Sequence, residues 1–288
     1  MNMPVPGIAY TAAGLVAAAY CIICMKRAVD RTASSVSAFL LLFTGVFFLG
    51  AAALLNGEEL SVIALWKAAP YKAAAAALCI AFSVLFWLRA FQSGSLLRVL
   101  PFIELSLLLN PLLSRFSGSA RPGLFSVIYL LLLLLGFVFM ISGSTDMPVY
   151  FWFLSVSGSI LFFLFATLTK NISAEQTCWN TRLSVCIAAT IFLLLLSLIG
   201  GAAQSLDATD PASILYAPAA ACCIGTALLC ITEAAHTGFS PAGDAITFLF
   251  LPVSALLGRI MAKDRASVLY PIGLVLFTVG AAALLLRS

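Results

Sequence analysis

The chain has 288 residues, of which 63% are hydrophobic and only 9% charged, with a mean hydropathy of +1.13 and a formal net charge of +4. A soluble domain carries roughly 25% charged residues, so this chain cannot clothe a globule in polar surface, and its natural solvent is lipid. A charge so small and scattered offers no footprint for nucleic acid, and the single histidine, His236, with eight dispersed cysteines supplies no set of metal ligands.

A helix crossing the hydrocarbon needs about 20 mostly apolar residues. The N-terminal "MNMPVPGIAYTAAGLVAAAYC" has no Lys or Arg ahead of its apolar stretch, which predicts a first membrane helix over 7–25 rather than a cleaved signal peptide. The C-x-x-C of Cys21 and Cys24 lies inside it, where cysteines act as small buried hydrophobes. Further spans are predicted at 34–55, 70–91, 96–115, 123–142, 149–169, 179–200, 213–235, 241–260 and 267–286, ten in all. Short polar punctuations such as "KRAVDR", "NGEELS" and "SGSARPG" separate them. No soluble domain fits between the spans, so function must lie in the bilayer.

The fourth span contains "PFIELSLLLNPLL", an apolar run with one carboxylate, Glu104, near its middle. At 100° per residue, Pro101, Glu104, Leu108, Pro111 and Arg115 share one stripe. A carboxylate near the bilayer midplane costs at least about 2.5 kcal/mol. Compensation comes from a partner, from water in a cavity or from protonation. Glu104 is therefore expected either to meet a cationic cargo group or the proton exchanged for it, or to sit protonated on a neighbouring hydroxyl. Prolines 101, 111 and 252 are expected to bend their helices and free carbonyls.

Sliding the sequence on itself by half its length gives an ungapped signal. Met3-Pro4-Val5 falls on Met147-Pro148-Val149, Gly14 on Gly158, Lys26 on Lys170, Gly94 on Gly238, Arg115 on Arg259, Arg121 on Arg265 and Gly136 on Gly280. The halves agree at 32 of 144 positions, where this composition gives roughly a dozen by chance. Each half, 1–144 and 145–288, holds five spans, an odd number, so the two run in opposite senses across the membrane. The predicted fold is an all-α membrane protein, ten transmembrane helices arranged as two inverted five-helix repeats. That symmetry supplies the pair of near-isoenergetic conformations on which secondary transport depends.

"FWLRAFQSGSLLRVLPFIELSLLLNPLLSRF" followed by "ARPGLFSVIYLLLLLLGFVFMI" resembles the helix 3–4–5 portion of the drug/metabolite transporter superfamily, EamA type. "CITEAAHTGFSPAGDAITFLFLPVSALLGRIMAKDRASVLYPIGLVLFTVGAAALLL" resembles its C-terminal portion. The acidic residue often found after the fourth and ninth helices is replaced by "SGSAR" in the first half, while "AKDR" keeps Asp264 in the second. The resemblance implies ten helices, cytoplasmic termini, a multi-pass protein of the cell (inner) membrane, and movement of small polar or amphipathic metabolites. Charge bias between the two faces does not itself fix the orientation.

Few other residues qualify as pathway candidates. Arg98 stands in the first turn of the fourth span and would either attract an anion or face headgroups. Tyr20 and Trp87 lie inside spans, and Phe248 takes the place of Glu104 in the second half. Arg89 and Glu233 occupy equivalent positions and would be gates on opposite faces, or would snorkel to the interface as Asp244 would. The functional expectation is a secondary transporter, not an enzyme, moving a small cationic or zwitterionic metabolite with a proton or another ion as its coupling partner. An exporter of anionic or hydrophobic compounds using Arg98 and Arg89 is the second reading, and a passive channel, a membrane enzyme or a lipid-handling protein follow. The expected partners are the small-molecule substrate and membrane lipids, as a monomer or homodimer, without cofactor or metal.

Overall fold

A computed structural model describes residues 5–30, 32–58, 62–116, 124–142, 148–173, 178–199, 211–236, 242–261 and 267–286. Among these the chain forms α1 (Val5–Val29), α2 (Ser34–Leu55), α3 (Val62–Ala68), α4 (Pro70–Ser93), α5 (Leu96–Phe116) and α6 (Leu124–Ser142). The remainder forms α7 (Val149–Ser173), α8 (Cys178–Ile199), α9 (Pro211–His236), α10 (Ala242–Met261) and α11 (Leu269–Leu286). Every described element is helical. A helix occupies each of the ten expected segments, and at 34–55 the bounds coincide.

The count nevertheless differs, because α3 lies in what the sequence suggests is a connection. Its "VIALWKA" is seven residues, about 10 Å of helix, too short to cross a membrane and hidden in any search for spans. It forms because it has something to bury: Leu65 is fully covered, and the Ser184 hydroxyl donates to the Val62 carbonyl at 3.3 Å. Pro70 then opens α4, where its missing N–H costs nothing.

Among the described residues, six helices are long and apolar enough to cross a membrane: those within α1, α2, α4, α7, α8 and α9. Large apolar side chains on the outside, among them Phe47, Leu131, Leu195 and Val275, are more than half exposed. Such surface is costly in water and at ease in lipid.

The chain divides into two compact units. The first comprises Met1–Ile23, Gly94–Trp152 and Ala227–Ser288, and the second Cys24–Ser93 and Phe153–Thr226. Each unit therefore draws on both halves of the sequence.

In the first unit α6 and α11 cross at backbone distance. A Cβ on Gly136 would collide with the Phe277 backbone nitrogen and lie 2.6 Å from the Gly273 carbonyl, and one on Gly280 would lie 2.7 Å from the Leu133 nitrogen. A Cβ on Gly273 would meet the Gly136 carbonyl at 2.6 Å and the Met140 nitrogen at 2.7 Å. As position advances along α11 its neighbour on α6 recedes, so the pair is antiparallel. Only glycine permits such an approach. Helix α5 packs against α10 and α6, with the Phe102 ring edge-on to Phe137 and Trp152 at 5.3 and 5.7 Å. Leu96 and Leu97, at the start of α5, reach Gly258, near the C-terminal end of α10. Helices that pack on each other from such a contact run side by side only if they are antiparallel.

In the second unit α2 lies along α8, and α4 packs on both. Phe82 meets Phe192 edge-on at 5.3 Å. At one end of these helices Lys26 donates to the Phe91 carbonyl at 2.7 Å and pairs with Asp30 at 3.1 Å. The Gln92 amide donates to the carbonyls of Val29 and Thr32, and Arg27 reaches the Tyr216 hydroxyl while stacking 5.5 Å from its ring. Glu58 Oε2 accepts the Asn180 amide at 3.2 Å, satisfying one of the free donors in the first turn of α8.

Candidate functional site

Glu104 stands on α5 in the first unit with its side chain 0% exposed, and neither carboxylate oxygen has a hydrogen-bond partner. Which way it points follows from the helix register. Leu96 and Leu97 of α5 both reach Gly258 of α10, their Cδ2 atoms 2.8 and 3.6 Å from where a Cβ on that glycine would stand. One and two turns on from Leu96, Leu100 and Glu104 share that side of α5, whereas Phe102 turns away toward α6. Glu104 thus lies on the α10 side. On α10, Ser254 is one turn before Gly258 and on the same side. Its hydroxyl is also 0% exposed and without a partner. With the helices antiparallel, Ser254 and Glu104 are separated along the seam by about one helical turn, roughly 5 Å. Phe250 and Leu251 of α10, with Leu97, Leu100 and Ile103 of α5, are buried around them.

The other predicted residues disperse. Arg98, also on α5, is partly exposed, and its backbone amide bonds Ser95 in the helix's first turn. Tyr20 on α1 is 36% exposed, more an edge residue than an enclosed one. Phe248 falls within α10, but its side chain is outside the described residues, as are those of Asp244 and Arg115. Arg121, Asp264 and Arg265 lie outside the described residues altogether. Glu233 is exposed near the end of α9 in the first unit. Arg89 is exposed near the end of α4 in the second unit, its Nε donating to Ser34 Oγ at 3.4 Å. Helices α5 and α10 remain helical through Pro101, Pro111 and Pro252.

Trp87 is better enclosed than a membrane-edge tryptophan. Its indole is 6% exposed, packs 5.1 Å from the Phe162 ring and presses on Gly158, where a Cβ would fall 2.7 Å from Cδ1. One turn earlier on α4, the Ser83 hydroxyl donates to the Gly158 carbonyl at 2.8 Å. Neither the Trp87 N–H nor the neighbouring Ser155 hydroxyl finds a partner. The second unit therefore carries a small polar contact between α4 and α7 that the sequence reading did not assemble. Ser83, Ser155 and Ser254 escaped it because a lone serine in an apolar helix usually bonds its own backbone, as Ser159 does to the Ser155 carbonyl. The available signal was helical spacing: Ser83 and Trp87 are four apart, and Gly158 stands three from Ser155. Cys21 and Cys24 are buried in α1 and form no disulfide.

No family model and no curated protein sequence matches this chain. Solved structures do: ten chains resemble it, one of them described only as the crystal structure of a protein. That structure is 17% identical, with a TM-score of 0.62 over 96% of this chain and 98% of its own. At such identity the likeness speaks for the fold alone: the course of this all-helical chain is shared nearly end to end with a protein of known structure.

Proposed function

We propose that the chain is a secondary transporter of a small polar or amphipathic metabolite, cationic or zwitterionic, built as two inverted five-helix repeats, 1–144 and 145–288, that alternate access. The observation that carries this reading is the crossing of α6 and α11. Gly280 is the residue 144 places after Gly136, and Phe277 is 144 places after Leu133. Gly136 meets the Phe277 backbone and Gly280 meets the Leu133 backbone, so the contact returns onto itself when the halves are exchanged. A twofold relation between the halves would produce such a contact. Because the helices are antiparallel, the axis runs perpendicular to them, in the plane of any membrane they cross. Helices α5 and α10, also 144 apart, pair antiparallel in the same unit, and the second unit likewise draws on both halves. Inverted repeats provide two conformations of similar energy, open to opposite sides. The resemblance to EamA-type drug/metabolite transporters agrees with this, and carries with it cytoplasmic termini in a cell membrane.

The test is flux in proteoliposomes containing the purified protein. Labelled amines, amino acids, nucleosides and sugars are offered with and without a pH gradient. One class should enter saturably and show counterflow when the vesicles are preloaded with unlabelled solute. An equal, non-saturating leak of all classes without counterflow would mean a channel, and no flux of any class would remove the reading.

A further inference from the structure

The geometry points to a proton-binding site in the seam between α5 and α10, formed by the Glu104 carboxyl group and the Ser254 hydroxyl. The site deepens the transporter reading and rests on it for its role in coupling, though the binding of the proton can be measured without any transport.

The first argument is charge. An ionised carboxylate shut off from solvent and without a hydrogen-bond donor is the costliest group an apolar helix can carry. Glu104 is in that situation unless something positive accompanies it into this state. Arg98 and Arg115 are on its own helix, six and eleven residues away, so neither stands one turn from it. The helices packed on α5 bring Asp244 and Arg259 at the two ends of α10, Tyr129 on α6 and Tyr270 on α11. Arg259 adjoins Gly258 at the Leu96 end of the seam, two turns from Glu104 by register.

The second argument is size. A bound metal cation gathers about six oxygens, and among the described side chains of the seam there are one carboxylate and one hydroxyl. Among the described residues no three His, Cys, Asp or Glu side chains cluster to hold a metal. An organic ammonium needs a cavity of several hundred cubic ångströms, whereas Leu97, Leu100 and Ile103 on α5 and Phe250 and Leu251 on α10, all buried, occupy the same stretch of the two helices as the acid. A proton needs only an oxygen lone pair.

The third argument is the serine. A hydroxyl both donates and accepts, so Ser254 can donate to the carboxylate before the proton arrives and accept from the carboxylic acid afterwards. A separation of about one turn is within reach of a rotamer change or one bridging water. The proton comes from hydronium when the seam opens to solution: one O–H bond of hydronium breaks, one forms at a Glu104 oxygen, water is left, and no electrons move. Repeat symmetry does not duplicate the site. The counterparts of Glu104 and Ser254 are Phe248 and Asn110, so each chain carries one such proton.

The experiment is infrared spectroscopy of the purified full-length protein, with flux measured in parallel. A carbonyl stretching band of a protonated carboxylic acid, slow to shift in heavy water, is expected at neutral pH. Glu104→Gln should abolish it, Glu104→Asp should move it, and Ser254→Ala should move it by removing the hydrogen bond. In proteoliposomes Glu104→Gln should lose accumulation driven by a pH gradient. A wild-type protein without the band, or a band that survives Glu104→Gln unchanged, overturns the site. A band indifferent to Ser254→Ala overturns the pairing with the serine. If Glu104→Gln does not fold, the Asp variant decides by the same shift. The band with no solute flux would leave the site standing and sink the transporter reading. Flux without the band would do the reverse.

Discussion

Two helix pairs of the first unit each join segments 144 residues apart, and they are made in opposite ways. Helices α6 and α11 meet through glycines on both sides, backbone against backbone, with the same contact in both directions. Helices α5 and α10 meet through side chains, and two of those, Glu104 and Ser254, are buried polar groups whose repeat counterparts are residues of another kind, Phe248 and Asn110. Under the proposed duplication, the comparison marks where likeness between the halves was kept and where it was given up. A twofold crossing fixes the frame only if both copies stay alike, because a side chain added to either pushes on the same backbone. A polar site gains from difference: two carboxylates facing each other across one seam would have to share or double their protons.

The sharpest way to break this comparison is at the crossing. Gly136→Leu places a side chain into the Phe277 backbone and the Gly273 carbonyl, neither of which can swing aside. Overpacking a fitted interior costs about 1–3 kcal/mol and occasionally more, and a backbone obstacle belongs at the upper end. The expected result is a large drop in the thermal midpoint in detergent or failure to accumulate folded protein. Gly280→Leu should match it, since a Cβ there lies 2.7 Å from the Leu133 nitrogen. A tolerated Gly136→Leu beside a damaging Gly280→Leu would sink the claim of equivalence.

Much of this was legible in the sequence. The glycine matches at 136 and 280 stood out because glycine has no hydrophobic reason to recur in a leucine-rich helix, and the structure supplies the reason in close approach. The ten apolar segments were legible because lipid demands length. The short helix α3 was not, since its register is decided by burial of Leu65 and by the hydroxyl of Ser184, far away in the chain. Glu104 was conspicuous as an acid among apolar neighbours. Ser254 was silent, because only the pairing of α5 with α10 gives a lone serine any meaning.

A middle-sized effect tests whether side-chain contacts yield where backbone ones do not. In the second unit a Cβ on Gly158 would press on the Trp87 indole rather than on backbone alone. Gly158→Ala should cost about 1–2 kcal/mol, and the double variant Gly158→Ala with Trp87→Leu should recover much of it. That coupling is read from unfolding midpoints in a double-mutant cycle. Additive losses would show that the ring and the glycine do not restrain each other. Ser83→Ala, which removes the hydroxyl bond to the Gly158 carbonyl, should cost less, about 0.6 kcal/mol as for interhelical bonds in membranes.

The smallest expected effect has the opposite sign. Gly45 and Gly50 lie inside α2, and a Cβ on either would meet nothing within 4 Å. A glycine in a helix interior costs roughly 0.5–1 kcal/mol relative to alanine, because it retains more freedom in the unfolded chain. With no neighbour to obstruct it, Gly50→Ala should raise the unfolding midpoint slightly. The same chemical change, one methyl group on a helical glycine, is thus expected to weaken the protein at 136 and strengthen it at 50. Helix propensity favours alanine at both positions; only what stands beside the helix differs. If Gly50→Ala proved as harmful as Gly136→Ala, close approach to α11 would no longer explain the glycine at 136, and its match with Gly280 would be reduced to composition.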